Sequence, residues 1–376
     1  MRRSSILVAC GVSLLLPLLD ANKSDEKNDN KNDDKSQSFI ANLNNISAIA
    51  STIPGNGDIN PYGVAIVPRS AGTLVKDSVL VSNFNNSSNL QGTGTTIVEI
   101  GQDRSFRVFA QISAASVPGC VGGVGLTTAL VALRSGWVIV GSLPTSDGMA
   151  ATAKDGCLIV LNSSGKVVET LAGNGINGAW DMTALDLEDR AVLFVTNVLN
   201  GTVAANGSTV NQGTVLRIVL AVDKNHDDMP RELARTVVAS GFGERTDPDA
   251  LVIGPTGVRL ARNGTLYVAD TLANRIAAIP DAVFRTSSAG IGNTVSQNGS
   301  LNAPLGMAIA HNGDILVVNG GDGNMVEITP GGSQIAAKNV DETGMGGGTL
   351  FGLALSHAKN SVYFVNDGNN TLYLLH

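Results

Sequence analysis

The feature that most constrains the fold is a unit that recurs after residue 55. Its most regular form is residues 254–279, GPTGVRLARNGTLYVADTLANRIAAI. Each copy has a Pro-x-Gly entry, an alternating apolar strand, a Gly turn, a second strand ending in Asn or Asp, and a third strand after a polar turn. Self-similarity at such a period means that one structural unit is stacked many times. With 43% hydrophobic residues, 15% charged residues and 44 glycines, the composition suits strands and turns.

The copies align as follows. The first runs from residues 60–66 (NPYGVAI) through 78–83 (SVLVSN) to 96–100 (TIVEI). The second is cryptic, with 128–130 (TAL), 134–142 (RSGWVIVGS) and 156–161 (GCLIVL). The third has 180–182 (WDM), 192–197 (VLFVTN) and 213–218 (GTVLRI), and the fourth is the reference stretch. The fifth has 304–309 (PLGMAI), 313–319 (GDILVVN) and 325–328 (MVEI). The sixth, at 351–355 (FGLAL), 362–366 (VYFVN) and 371–375 (TLYLL), lacks a fourth strand, whereas residues 46–53 (ISAIASTI) form a strand to spare. Radial four-stranded sheets must close between first and last, and the spare strand fits the gap. The expectation is an all-β, six-bladed β-propeller whose last blade is closed by the N-terminal strand.

The segment GVRLARNGTLYVADTLANRIAAI resembles an NHL repeat, with its strand, Gly turn, Tyr-Val-Ala-Asp-Thr segment and Asn-Arg-Ile. The copies at 304–328 and 351–375 resemble it more loosely, and the first three are looser still and carry insertions. The resemblance implies a six-bladed propeller over residues 42–376, distantly similar to gluconolactonase-like propellers. It implies no single activity, because a shared fold hosts many functions.

Ahead of the ring, residues 1–21 read as an export signal, with Arg2 and Arg3, an apolar run at 6–19, and Ala21 as a small residue for cleavage. The run is short for a transmembrane span. Residues 7–10 (LVAC) resemble a bacterial lipobox, so a lipid anchor at Cys10 is the alternative to cleavage. Residues 22–41 are read as a polar, disordered linker. A periplasmic or secreted location follows, and there a Cys120–Cys157 disulfide is chemically permitted. The repeat sets these cysteines two strand spacings apart, about 9 to 10 Å, so bridging requires the Cys120 loop to fold over. Two buried thiols are the other possibility.

Two columns of the repeat are candidate functional positions. Second strands end at Asn83, Ser142, Asn197, Asp270, Asn319 and Asn366, at one end of the channel. Of these, Asn83, Asn197, Asp270, Asn319 and Asn366 are the candidate ligands of a hard cation such as calcium. The alternative is local, since Asn and Asp bond neighbouring backbone where strands turn. The second column is the residue before the Gly of each entry: Tyr62, Thr128, Trp180, Thr256, Leu305 and Phe351. Gluconolactonase-like propellers carry metal-binding Asn or Asp in the corresponding segments, and none stands here. Aromatics are scarce, at nine Phe, four Tyr and two Trp, yet three occupy this column. Tyr62, Trp180, Thr256 and Phe351 are therefore candidate ligand-binding residues, with a channel plug as the alternative.

Asp223, Asn225 and Asp227 resemble the start of a calcium loop, but Asp228 stands where the sharp turn wants Gly and Ala234 where a bidentate Glu belongs. The histidines at 226, 311, 357 and 376 have no metal-ligand spacing, and no nucleophile elbow or paired CxxC is present. A net charge of -7 gives no basic stripe for nucleic acid. The functional expectation is a monomeric binding module that meets a small molecule, glycan or protein at the top face of the propeller. The alternative is a metal-assisted lyase or hydrolase of a small organic substrate, and a structural envelope protein is a third reading.

Overall fold

In the computed structural model, apolar runs of five to eight residues become the middle strands of six antiparallel sheets. The structure describes residues 38–223, 228–356 and 360–376, and the folded body is Ser38–His376. The signal, the Cys10 lipobox, most of the linker, and Asn225, Asp227, His226 and His357 lie outside the described residues.

Five blades are formed by consecutive strands. They are β2 (Ile59–Ile66) to β5 (Phe106–Gln111), β6 (Leu126–Ala132) to β9 (Val167–Ala172), and β10 (Ala179–Asp186) to β13 (Arg231–Asp247) with the short β14 (Leu251–Ile253). Next come β15 (Pro255–Leu260) to β18 (Asn293–Gln297) and β19 (Pro304–Ile309) to β22 (Gln334–Asn339). The sixth blade has the order β1 (Ile46–Ser51), β25 (Thr371–Leu375), β24 (Val362–Asn366), β23 (Leu350–Leu355). The first strand of the chain thus pairs with the last, from Ile46 opposite Leu375 to Ser51 opposite Thr371. Reciprocal backbone bonds between Asn45 and His376 extend the seam.

Each sheet is sandwiched between neighbours, so the middle strands must be apolar on both faces. Every residue of β3 (Val79–Asn85), β7 (Val138–Ser142), β16 (Leu266–Asp270) and β20 (Ile315–Asn319) is buried. Outermost strands such as β5 and β22 are partly exposed. Apolar clusters fill the wedges between blades, one joining Leu130, Ile159 and Leu80 of the first two blades and another Phe194, Val258 and Val268 of the third and fourth.

The Gly of the entry motif has a steric reason. A Cβ on Gly306 would stand 2.0 Å from the Phe351 carbonyl oxygen, and one on Gly352 2.0 Å from that of Tyr62. At these two seams the innermost strands therefore approach more closely than a side chain permits. Hydroxyls staple the same contact: Ser82 Oγ donates to the Thr127 carbonyl at 2.7 Å, and Thr196 Oγ1 to that of Thr256 at 2.7 Å.

The cysteines are bridged, Cys120 to Cys157, with Cα atoms 5.3 Å apart. The strand-spacing estimate is too long because Cys120 sits in a chain of turns before β6, which brings it back over the start of β8 (Cys157–Leu161). The N-terminal end of the body also differs from a linker running to residue 41. The Glu327 carboxylate accepts hydrogen bonds from Ser38 Oγ (2.6 Å), Phe39 N (2.7 Å) and Ile40 N (2.9 Å). Ile40 and Leu43 are buried, so these residues fold onto the fifth blade.

Candidate functional site

The central channel has two unlike ends. Innermost strands enter at the upper end, where second strands finish, and leave at the lower end. At the upper end the Asn and Asp side chains bond within their own blades and loops. Asn83 Nδ2 donates to the Thr52 carbonyl (3.0 Å) and Asn319 Nδ2 to that of Ser300 (2.8 Å). Asn366 Nδ2 donates to Asp341 (2.7 Å), and Asn197 Oδ1 accepts from the Asn177 N–H (3.2 Å). Asp270 forms a buried ion pair with Arg275 at 2.7 Å. Burial raises the Asp270 pKa, with Arg275 opposing it. Of the five, Asn83 and Asn319 keep a buried oxygen with no partner. Calcium takes about six to eight oxygens, and the hydrogen bonds and ion pair above engage these side chains within the fold. Among the described residues, no group of three or more His, Cys, Asp or Glu is placed to hold a metal. Asp223 accepts from the Asp228 N–H.

The aromatic column packs on itself. The Tyr62 ring is stacked between Phe84 (centroids 4.5 Å apart) and Phe351 (3.8 Å), and Trp180 lies 6.5 Å from Phe351. Tyr62, Trp180, Phe351 and Leu305 are buried, as is Thr256, whose hydroxyl bonds Thr271 at 2.7 Å. The third blade supplies a cover. The end of β13 turns back as β14, pairing Asp247 with Leu251, and the Val252 carbonyl accepts from Trp180 Nε1 at 3.2 Å.

Acidic groups surround this plug. The Tyr62 hydroxyl is buried without a partner, and burial together with the charges of Asp367, Asp247 and Asp249 holds its pKa well above the usual phenol value. Burial pushes Asp367 up to about 7, with the charges of Asp341 and Asp249 adding to it. Glu244 is likewise raised by burial to about 7, although Asn200 donates to it through both its backbone N–H and its amide.

The lower end is open. All six innermost strands line a cavity of about 440 Å³. Its walls include Val64, Leu130, Met182, Leu260, Ile309 and Leu353. Arg259 lies across the channel at its inner limit. Nη1 bonds Asp181 Oδ2 (2.9 Å) in the third blade, while Nη2 makes a long contact (3.5 Å) with the Leu353 carbonyl in the sixth. Asp181 is fully buried and also accepts from the N–H groups of Val258 and Met182. Burial raises the Asp181 pKa, and the Arg259 charge works against that.

The sequence alignment carried a signal for this pair that its reading passed over. Asp181 occupies the column where other copies have Gly or Ala, so a carboxylate there needs a partner on the adjoining innermost strand. Its partner Arg259 sits on the next innermost strand.

No family model matches the sequence, and no curated protein matches it. Solved structures do. The chain is similar to a gluconolactonase from Xanthomonas campestris, at 11% identity, with 88% of this chain and 88% of that chain covered and a TM-score of 0.53. It is similar to the calcium-binding protein regucalcin from Agrobacterium tumefaciens, at 15% identity, with 87% and 92% covered and a TM-score of 0.52. It is also similar to the PQQ-bound aldose sugar dehydrogenase from Streptomyces coelicolor, at 15% identity, with 88% and 97% covered and a TM-score of 0.52. At these identities the likeness establishes the fold alone, a six-bladed β-propeller.

Proposed function

We propose that this protein is a binding propeller that takes a small organic ligand into one end of its central channel, the lower one. The carrying observation is the open cavity of about 440 Å³ lined by all six innermost strands. Its size and apolar walls suit a small ligand, and Arg259 supplies an oriented polar group within it. The aromatic residues of the upper end are stacked on one another beneath the β13–β14 hairpin, which favours the lower mouth as the entry. The test is a ligand screen on the folded protein and on Ala184→Trp, which adds bulk to the cavity wall. Hits that bind the parent and lose affinity in the variant support the reading; hits unaffected by Ala184→Trp place binding elsewhere.

A second reading, a hydrolase or lyase acting at the upper end, draws on Asp367. A carboxyl titrating near 7 beside the Tyr62 ring suits general acid–base catalysis at neutral pH. The gluconolactonase among the structural neighbours makes a lactone the first substrate to try, with calcium as an additive because of regucalcin. Turnover abolished by Asp367→Asn in a folded protein would favour catalysis over binding. We further infer an extracytoplasmic location, supported by the basic and apolar start of the chain and, independently, by the Cys120–Cys157 bridge. Cell fractionation tests it: recovery of the protein with a free thiol pair in the cytoplasm would overturn it.

A further inference from the structure

The lower cavity has a charge pattern that selects among small organic ligands. Two guanidinium groups line it, Arg259 at the inner limit and Arg262 in the turn after β15. Arg259 is balanced by Asp181 at 2.9 Å. The one lining carboxylate, Asp186, is engaged by Arg134, through the Arg134 backbone N–H at 2.6 Å and an ion pair at 3.6 Å. Arg262 has no acidic partner among the described residues. It is exposed, whereas the wall residues Leu130 and Met182 are buried. Among the described residues, the cavity therefore ends in one guanidinium that has no acidic partner.

Arg262 follows Arg259 by three residues, beyond the end of β15 at Leu260 and in the turn that leads to β16. A small ligand can lay its apolar body along the half-buried Leu260, Ile309 and Leu355 while its head meets Arg262 at the mouth. A cationic head would meet the same guanidinium unfavourably and find no free carboxylate among the described lining residues. A neutral head would gain less, because charge-assisted hydrogen bonds to a guanidinium are about twice as strong as neutral ones.

Resting on the lower-end reading above, we propose that the ligand is a small apolar acid, bound body-first with its anionic group at Arg262. Matched probes test this: 2-naphthoate, 2-naphthalenemethanol and 2-naphthylmethylamine share one ring system and differ in head charge. Titration of the full chain by calorimetry is expected to give about tenfold tighter binding of the acid than of the alcohol, with the amine weakest. Raising salt from about 0.02 to about 0.5 M should weaken the acid selectively. Arg262→Gln, at an exposed turn, should reduce the preference for acid by about threefold or more without changing thermal melting. Ala184→Trp should remove binding of all three probes. Equal binding of the probes, or preference for the amine, overturns the anion proposal while leaving the cavity reading standing. Failure of all three to bind the folded parent overturns both.

Discussion

Asp367 and Glu244 are carboxyls whose buried positions favour the protonated form, each at about 7. Between the unfolded carboxyl value near 4 and the folded value near 7, the native state holds more protons than the unfolded chain. Stability contributed by these groups is therefore present at low pH and lost as pH rises through that window. Asp367→Asn should flatten the decline in Tm between pH 5 and pH 7.5 measured by calorimetry, its benefit at the upper pH bounded at about 4 kcal/mol. An unchanged pH profile would show that Asp367 ionises freely in the folded protein. The channel pair behaves oppositely under mutation. Arg259→Met strands the buried Asp181 carboxylate and is expected to destabilise by about 3 to 5 kcal/mol, whereas the double change with Asp181→Asn should recover much of that loss. Denaturant melts of the three proteins measure the coupling directly.

At the scale of elements, the strands were legible because their signals are local: alternation, Gly turns and the Asn or Asp at the second-strand end fall within single copies. The closing strand was legible too, as the surplus at residues 46–53 matched the deficit after 375. What side chains do at the channel was less so. Whether Tyr62 faces solvent or stacks depends on Phe351 in the adjoining blade and on the cover formed by the end of β13 with β14, which lies in an insertion foreign to the repeat. The Asn column illustrates the same limit, because a strand-end amide that serves its own turn and one that reaches a shared ion carry identical sequence patterns. The disulfide joins an entry loop to the third strand of the second blade across a sequence separation of 37. Closing a loop of that size restrains the unfolded chain by about 3 to 4 kcal/mol, so reduction should lower the denaturation midpoint accordingly. Mass spectrometry after alkylation, with and without reductant, identifies the state being melted.

For the whole molecule, stability rests on completing the ring. Deleting residues 42–54 removes β1 and the Leu43 packing, and leaves β25 as an open edge. The expected result is loss of the cooperative melting transition or aggregation, seen by light scattering, because an unpaired apolar edge recruits other chains. Retention of the parental solubility and Tm would show that five complete blades and one of three strands suffice.

The pairing of Ile46 with Leu375 also sets an order of events during synthesis. β1 finishes the sixth blade but is made before the other five blades, and its partner β25 after them, so the nascent chain must carry β1 unpaired until β25 has been made. Such a long-range contact slows folding, since the loop entropy is lost before the ladder compensates it. A chain stopped before β23 leaves a five-bladed arc with an adhesive edge, and only one that reaches β25 can hide it.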